Sequence, residues 1–284
     1  MKKIYQLLTL VILSFLFACT SPKNTLAKQE HDLRIVSLVP SYTSEIVELG
    51  FEKNIVGATS YCEISKKNKD LIVGSVIDIN EEKILLLKPD IVFASTLVKE
   101  KSIETLKKNG INVQYLGKME SFDDLCSQFI AIGNILGVET KAKQYINKAK
   151  LRIDSLKNSV PKTNDTTTVF FQLGAKPICA VIPNTFMNDF ITFAGSKNVF
   201  YDLDKIIVNR ESVLLRNPDY IIISSMGDIG KQEKAIWEAY KEINAVKNNR
   251  VFVVESASTP TIDNFIDSFE FIIHKMYAST TINE

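Results

Sequence analysis

From Leu33 onward the apolar and polar positions switch between two periods. "LRIVSLVP" is a continuous apolar run stopped by Pro40 and predicts a buried strand. "SYTSEIVELG" changes to helical spacing: Ile46, Val47 and Leu49 supply an apolar face, Ser41 or Thr43 a cap, and Gly50 the stop. "NIVGAT" predicts a short strand. "NEEKILLL" predicts a short helix with Asn80 as its N-cap and two acids in the first turn, where the helix dipole favours them. Pro89 ends it, "DIVFAS" is a strand, "KEKSIETLKKNG" an amphipathic helix closed by Gly110, and "INVQYLG" a further strand. The second half repeats this grammar. "TTVFFQLG" predicts a strand, "NTFMNDFITFAG" a helix capped by Asn184 and ended by Gly195, "KNVFY" a short strand, "RESVLLRNPD" a short helix and "YIIISS" a strand. "KQEKAIWEAYKEINAV" predicts one outer amphipathic helix carrying Trp237, "RVFVVES" a strand, and "DNFIDSFEFIIHKMY" a closing helix.

Strands alternating with helices imply right-handed crossovers and mostly parallel sheets. Written twice, the pattern predicts an α/β fold of two similar lobes joined by a single long helix. The join is "FDDLCSQFIAIGNILGVETKAKQYINKAKLRIDSLKNSV", two helices broken near Gly137. The second, from Glu139 to Asn158, is about 30 Å long at 1.5 Å per residue, enough to serve as a strut. Its exposed face carries Lys141, Lys143, Lys148, Lys150 and Lys157. The expected divisions are an N-terminal lobe over 33–136, a linking helix over 137–160 and a C-terminal lobe over 161–284.

The residues before Leu33 belong to export. Lys2 and Lys3 precede the apolar run "IYQLLTLVILSFLFA", which ends in "LFAC" at Cys19. That ending resembles a bacterial lipobox, so residues 1–18 are expected to be a signal peptide, Cys19 the lipidated N-terminus, and 19–32 a polar tether. Cleavage after Ala27 by an ordinary signal peptidase is the alternative. No later stretch has the roughly 18 uninterrupted apolar residues of a spanning helix. The expected location is therefore outside the cytoplasm, periplasmic or at the cell surface, with the membrane touched only through the lipid. Cys62, Cys126 and Cys179 remain, with no CxxC among them. Cys126 and Cys179 are expected to be small buried hydrophobes.

Composition narrows the chemistry. A formal charge of +1 gives no general pull toward nucleic acid or anionic lipid. There are two histidines, His31 in the tether and His274 in the last helix, so a serine or cysteine nucleophile lacks its base. Zinc or manganese sites usually need several imidazoles, and phosphate- or dinucleotide-binding glycine motifs are absent. No enzyme, metal site or cofactor is expected. Ligands of open α/β sheets sit beyond the carboxyl ends of the strands. In the first lobe those positions give Ser41, Tyr42, Tyr61, Cys62 and Ser95; in the second, Gln172, Gly174, Met226 and Ser256. Hydroxyls, an amide, aromatic rings and a thioether suit a large, partly apolar small molecule with a few polar handles. For Tyr61 and Cys62 two roles stay open: a ring stacking on the ligand with the thiol beside it or on iron, or a tyrosine packing the rim of the lobe.

One phrase occurs twice. "INEEKILLLKPDIVFAS" and "VNRESVLLRNPDYIIIS" share a register that pairs Asn80 with Asn209, Glu82 with Glu211, Leu85 with Leu214, Pro89 with Pro218 and Asp90 with Asp219. Together with "RIVSLVPSYTSEIVELG" and "NIVGATSYC", the first copy resembles the periplasmic binding proteins of the iron-siderophore, haem and cobalamin importers, over Leu33 to Tyr277. "VFFQLG" and "SKNVFYDLDKIIVNRESVLLRNPDYIIIS" look most like the cobalamin branch. The resemblance implies two lobes on one rigid helix and a ligand between them. It also implies a glutamate on each lobe, here Glu82 and Glu211, docking on arginines of a permease driven by its ATPase. The tryptophans that frame cobalamin in that branch are replaced here by Val76 and Lys205, so cobalamin, haem and a ferric siderophore all stay open. The rival expectations are a sensory or partner-binding lipoprotein without transport, and an enzyme built on Cys62.

Overall fold

A computed structural model describes residues 33–162, 167–225 and 229–277; the expected signal peptide and tether, Cys19 and Met226 lie outside these residues. The first sheet is built from β1 (Ile35–Ser37), β2 (Ile55–Ala58), β3 (Ile91–Ala94) and β4 (Val113–Tyr115), in the order β2-β1-β3-β4 with every pair parallel. Parallel strands bury both faces, which is why these segments read as unbroken apolar runs: Ile35, Val36, Val92, Phe93 and Ala94 are all buried. Helices α1 (Pro40–Glu48), α2 (Glu63–Lys67), α3 (Glu81–Leu87) and α4 (Glu100–Lys108) complete the lobe. Asn80 caps α3 as expected, accepting from the Lys83 N–H at 2.9 Å. The start of α1 differs. Pro40 ends the strand but also opens the helix, because its missing N–H falls where no intrahelical acceptor exists. Ser41 and Thr43 therefore lie inside the first turn rather than at the cap.

The second sheet contains β5 (Thr168–Ala175), β6 (Ile178–Ala180), β7 (Lys197–Asn198), β8 (Ile207–Val208), β9 (Tyr220–Ser225) and β10 (Val251–Glu255). Its order is β10-β9-β5-β6-β8, with β7 also on β5. The β10, β9, β5 and β7 pairings are parallel, while β6 and β8 are antiparallel additions. The β5–β6 hairpin and β8 were not visible as periodicity, because strands of two or three residues show no alternation. Around the sheet lie α7 (Asn188–Phe193), α8 (Arg210–Arg216), α9 (Ile229–Glu238) and α10 (Asn244–Lys247). Asn184 does not cap α7; it sits at φ +62°, a left-handed bend ahead of the helix. The single helix expected over "KQEKAIWEAYKEINAV" is two. The loop after α8 claims the donors that would continue it: Asn217 Oδ1 accepts from Asn244 N–H at 2.8 Å, and the Pro218 carbonyl from Ala245 N–H at 3.0 Å. Trp237 is not on an outer face. It is fully buried, edge-on to Phe170 at 5.6 Å.

The two sheets share a helical layer: α5 (Phe122–Ile135), α6 (Glu139–Asn158) and α11 (Ile262–Tyr277). The long helix α6 begins after Gly137, whose φ of +78° makes the break that glycine allows. It buries Ala142, Ile146, Ala149, Ile153 and Leu156, alternately four and three residues apart, which is the stripe of a helix seam. Its lysines face outward, and Lys141 still reaches the Leu49 carbonyl of the first lobe at 2.8 Å. On the other side Arg152 pairs with Glu270 and Tyr145 donates to Asp263, both on α11. Helix α5 touches both lobes: Phe122 N–H donates to Asp189 of α7 at 2.7 Å, and Gln128 to Glu45 of α1 at 3.2 Å.

Helices α5 and α6 pack closely at Gly133, where an added Cβ would lie 2.4 Å from the Cβ of Ala142. Helix propensity alone would make Gly133→Ala stabilising by about 1 kcal/mol. The overlap reverses that, because it must push two long helices apart. The variant is expected to lose about 1–3 kcal/mol in urea unfolding; unchanged or increased stability would refute the close packing.

Candidate functional site

The carboxyl edge of the first sheet carries three exposed apolar side chains beside the exposed Asp78–Lys99 ion pair. Tyr61 follows the end of β2 by three residues, and Leu97 follows the end of β3 by three; these strands flank β1. Ile77 lies in the segment between Ile72 and Ile79, which bridges back to the end of β2. All three side chains are at least half exposed, Tyr61 by 64%. Water-facing rings and branched chains gathered where open sheets hold their ligands mark a binding rim. Ser95 is half-buried beside Leu97, and its Oγ accepts from the Leu97 N–H at 3.3 Å. Ser41 and Tyr42 are buried beneath this edge, with burial pushing the Tyr42 phenol up to about 12.

The adjacent pair Tyr61 and Cys62 divides. While the ring points to solvent, the thiol is buried, 3.1 Å from Thr43 Oγ1 and 3.2 Å from Thr59 Oγ1. Cys62 thus joins α1 to the turn after β2 from within. Among the described residues no three His, Cys, Asp or Glu come close enough to hold a metal ion. Cys126 is also buried, and burial pushes its thiol up to about 12, a poor nucleophile. Cys179, expected to be buried, is only partly so.

On the second sheet, Gly174 is half-exposed near the end of β5 and Ser256 is exposed just past β10 at φ +60°. Ser256 borders a depression of about 480 Å³ whose walls include Asn264, Asp267 and Phe271. Gln172 is placed differently: it is buried and its amide is engaged on both ends. Its Oε1 accepts from the Trp237 indole at 2.6 Å; its Nε2 donates to Glu233 at 2.9 Å and to the Gly174 carbonyl at 3.0 Å. Glu233 in turn pairs with Arg210 at 2.7 Å, and the Arg210 guanidinium lies over the Trp237 ring at 4.5 Å. This network pins α8, and so the backbone that carries Glu211, to the core of its lobe.

The doubled phrase builds the same object twice. Asn209 accepts from the Ser212 N–H at 2.9 Å, as Asn80 does from Lys83. Each helix ends in a left-handed residue, Lys88 at φ 45° and Asn217 at φ 43°. Past the proline, Asp90 and Asp219 each clasp the start of the lobe's first strand. Arg34 N–H donates to Asp90 Oδ2 at 2.8 Å, and Thr168 N–H to Asp219 Oδ2 at 2.9 Å. Asp90 N–H and Asp219 N–H answer to the Arg34 and Thr168 carbonyls. Glu82 and Glu211 are exposed on these matched helices.

Glu45 is a site residue that the apolar-face reading of α1 passed over. It lies on the helix stripe with Tyr42, Ile46 and Leu49 and is 2% exposed. Burial, reinforced by the charge of Asp263 and only partly offset by Gln128, raises its carboxyl from 4.5 to about 8. It borders a cavity of about 190 Å³ shared by α1, Phe129, Tyr145 and the start of α11.

With this geometry, comparison with known proteins is specific. The profile described as periplasmic binding protein matches residues 35–257, and the chain belongs to that family, one of binding components rather than catalysts. It is 28% identical over 257 residues to an uncharacterized ABC transporter substrate-binding lipoprotein, YvrC, of Bacillus subtilis, covering 87% of this chain and 81% of that protein. It is 25% identical over 251 residues to the vitamin B12-binding protein of Vibrio cholerae, covering 87% and 88%. In three dimensions it matches a possible iron-binding periplasmic solute-binding protein of Staphylococcus epidermidis with a TM-score of 0.74 and 28% identity, covering 87% of this chain and 99% of that one.

Two outcomes test the buried groups. A Glu45 that keeps its proton to about pH 8 when folded, but loses it near 4.5 when unfolded, makes stability fall as pH rises through that window. Glu45→Gln removes the titration, so between pH 5 and pH 8 the variant will lose about 1–4 kcal/mol less stability than the parent. Parallel stability–pH curves would refute the assignment. In native protein, iodoacetamide will modify Cys179 well before Cys62 and Cys126, which will react only on unfolding. Early labelling of Cys62, read by peptide mass, would restore it as a reactive group.

Proposed function

We propose that this chain is the solute-capturing lipoprotein of an ABC importer, and that its solute is cobalamin or another corrinoid, or an iron complex such as a ferric siderophore or haem. The observation that carries the proposal is the open apolar rim formed by Tyr61, Ile77 and Leu97 on the carboxyl edge of the first sheet. A compact sugar or amino acid would call for facing charges there; a macrocycle or a wrapped chelate needs broad apolar contact with few polar handles. Ser95, Gly174 and Ser256 supply such handles, and Met226 belongs to the same expected set. Ser41, Tyr42 and Cys62 support the rim from beneath, and Gln172 is buried within the second lobe. The names of the vitamin B12-binding and possible iron-binding relatives support the same range of solutes. Lipid on Cys19 would hold the protein at the membrane outside the cytoplasm, in keeping with the lipoprotein named among its relatives. Glu82 and Glu211 would meet arginines of the permease, a charge-assisted and often bidentate contact.

Absorbance and mass of the compound that co-purifies, followed by titration with cyanocobalamin, haemin and a ferric siderophore, identify the solute. Tyr61→Ala is expected to weaken binding of that solute at least tenfold, or about 1.4 kcal/mol. Glu82→Ala with Glu211→Ala is expected to leave solute affinity intact and abolish uptake. Binding of none of the three compounds would remove the solute assignment. Solute binding together with undiminished uptake by the double glutamate variant would remove the docking assignment, and a chain whose loss leaves uptake unchanged would point to sensing instead.

A further inference from the structure

Helices α3 and α8 have the same pattern of exposure: of seven residues in each, two face solvent, and they are a glutamate and a leucine. In α3 these are Glu82 and Leu86; in α8, Glu211 and Leu215. Leu86 is 82% exposed and Leu215 87%, the highest values of any large apolar side chain among the described residues. A single exposed leucine is ordinary. Two at matching places of an internal repeat are not, because four of the other five pairs in these helices have diverged: Glu81 and Arg210, Lys83 and Ser212, Ile84 and Val213, Leu87 and Arg216. Lys83 reaches the carbonyls of Asp70 and Ile72, whereas its counterpart Ser212 bonds back to Asn209. Arg210, opposite Glu81, is spent on Glu233, and Arg216, opposite Leu87, on Asp202. Apart from the shared cap, the Leu85–Leu214 pair, the proline and the clasp, the side chains that serve their own lobe differ between the copies, while both exposed positions of the two helices agree.

Glutamate and leucine stand four residues apart, so they share one face of a helical turn. The Asn caps and aspartate clasps hold both helices in the same pose on their lobes. We infer that Leu86 and Leu215 are apolar anchors that dock beside Glu82 and Glu211, and that the partner offers the same surface twice: a cation next to an apolar pocket, on each half of a two-fold pair. This rests on the import function proposed above, and it makes the partner the importer's permease. The acids supply orientation and speed of encounter, while the leucines, desolvated at the centre of each contact, supply residence time.

The test uses benzoylphenylalanine in place of Leu86, of Leu215 and, as a control, of Leu151, an exposed leucine on α6. After irradiation of the producing cells, positions 86 and 215 are expected to give adducts with one and the same multi-spanning polypeptide. Position 151 should give none, and Glu82→Ala with Glu211→Ala should abolish both adducts. Binding of the purified protein to cytoplasmic-membrane vesicles from those cells is then expected to weaken tenfold or more for Leu86→Ser or Leu215→Ser, with the melting temperature unchanged because neither leucine is packed. If the serine variants bind vesicles like the parent while the glutamate variants do not, the leucine anchors are refuted and docking through the acids stands. If both sets bind like the parent, the docking assignment falls as well. Adducts from only one position, or with different polypeptides, refute the two-fold partner. Self-association of the parent in sedimentation, lost in the serine variants, would assign the leucines to a second copy of this chain and overturn the proposal.

Discussion

Both lobes depend on the seam where α6 lies against α5 and α11. Its stripe of Ala142, Ile146, Ala149, Ile153 and Leu156 is narrow, and small residues at Gly133 and Ala142 let the helices come close. Interiors packed at such density resist sliding, and the polar contacts along the seam reach both ways, from Lys141 to the first lobe and from Tyr145 and Arg152 to the last helix. A binding protein built on this layer has little freedom to open widely. Capture would then rely on a rim shaped in advance, and any signal of occupancy would be a small rocking of the lobes.

The repeated aspartate clasp turns that layer into a platform. A backbone N–H needs a partner, and in each lobe the one just before or at the start of the first strand, on Arg34 and Thr168, finds it in the residue after the short helix's proline. The same carboxylate therefore fixes the edge of the sheet and the stance of the helix. What the helix shows to solvent is then determined by the lobe's core. The network of Gln172, Glu233, Arg210 and Trp237 extends this in the second lobe, where an ion pair beneath an indole fixes the residue preceding Glu211.

Glu45 is a buried acid with no cation beside it, unlike Glu233, which Arg210 pairs. A carboxylate taken out of water without full pairing stays protonated, and here it sits between α1 and α5, facing the start of α11. Its carboxyl, its pKa raised by burial, lies where α1 meets the helical layer shared by the two sheets. Its position was present in the helical spacing, since residue 45 falls on the line through Tyr42, Ile46 and Leu49. Charge disguised it as a surface residue.

The order of most strands and helices, the two-lobe division and the cap Asn80 were legible from the chain alone, because they rest on local rules: apolar periodicity, turn residues and the asymmetry of helix ends. The duplication was legible for the same reason, and with it the matched acids. Local pattern was silent where long-range contacts decide. Strands β6 and β8 exist because β5 offers them an edge. Helix α10 separates from α9 because Asn217 and Pro218 claim its amides. Trp237 turns inward because Gln172 waits for its indole, and Cys62 is buried while Tyr61 beside it is not. Sequence by itself determined most of the elements and which residue types are available for binding. Only the tertiary structure decided which of them reach solvent, since burial depends on what other parts of the chain bring to the same place.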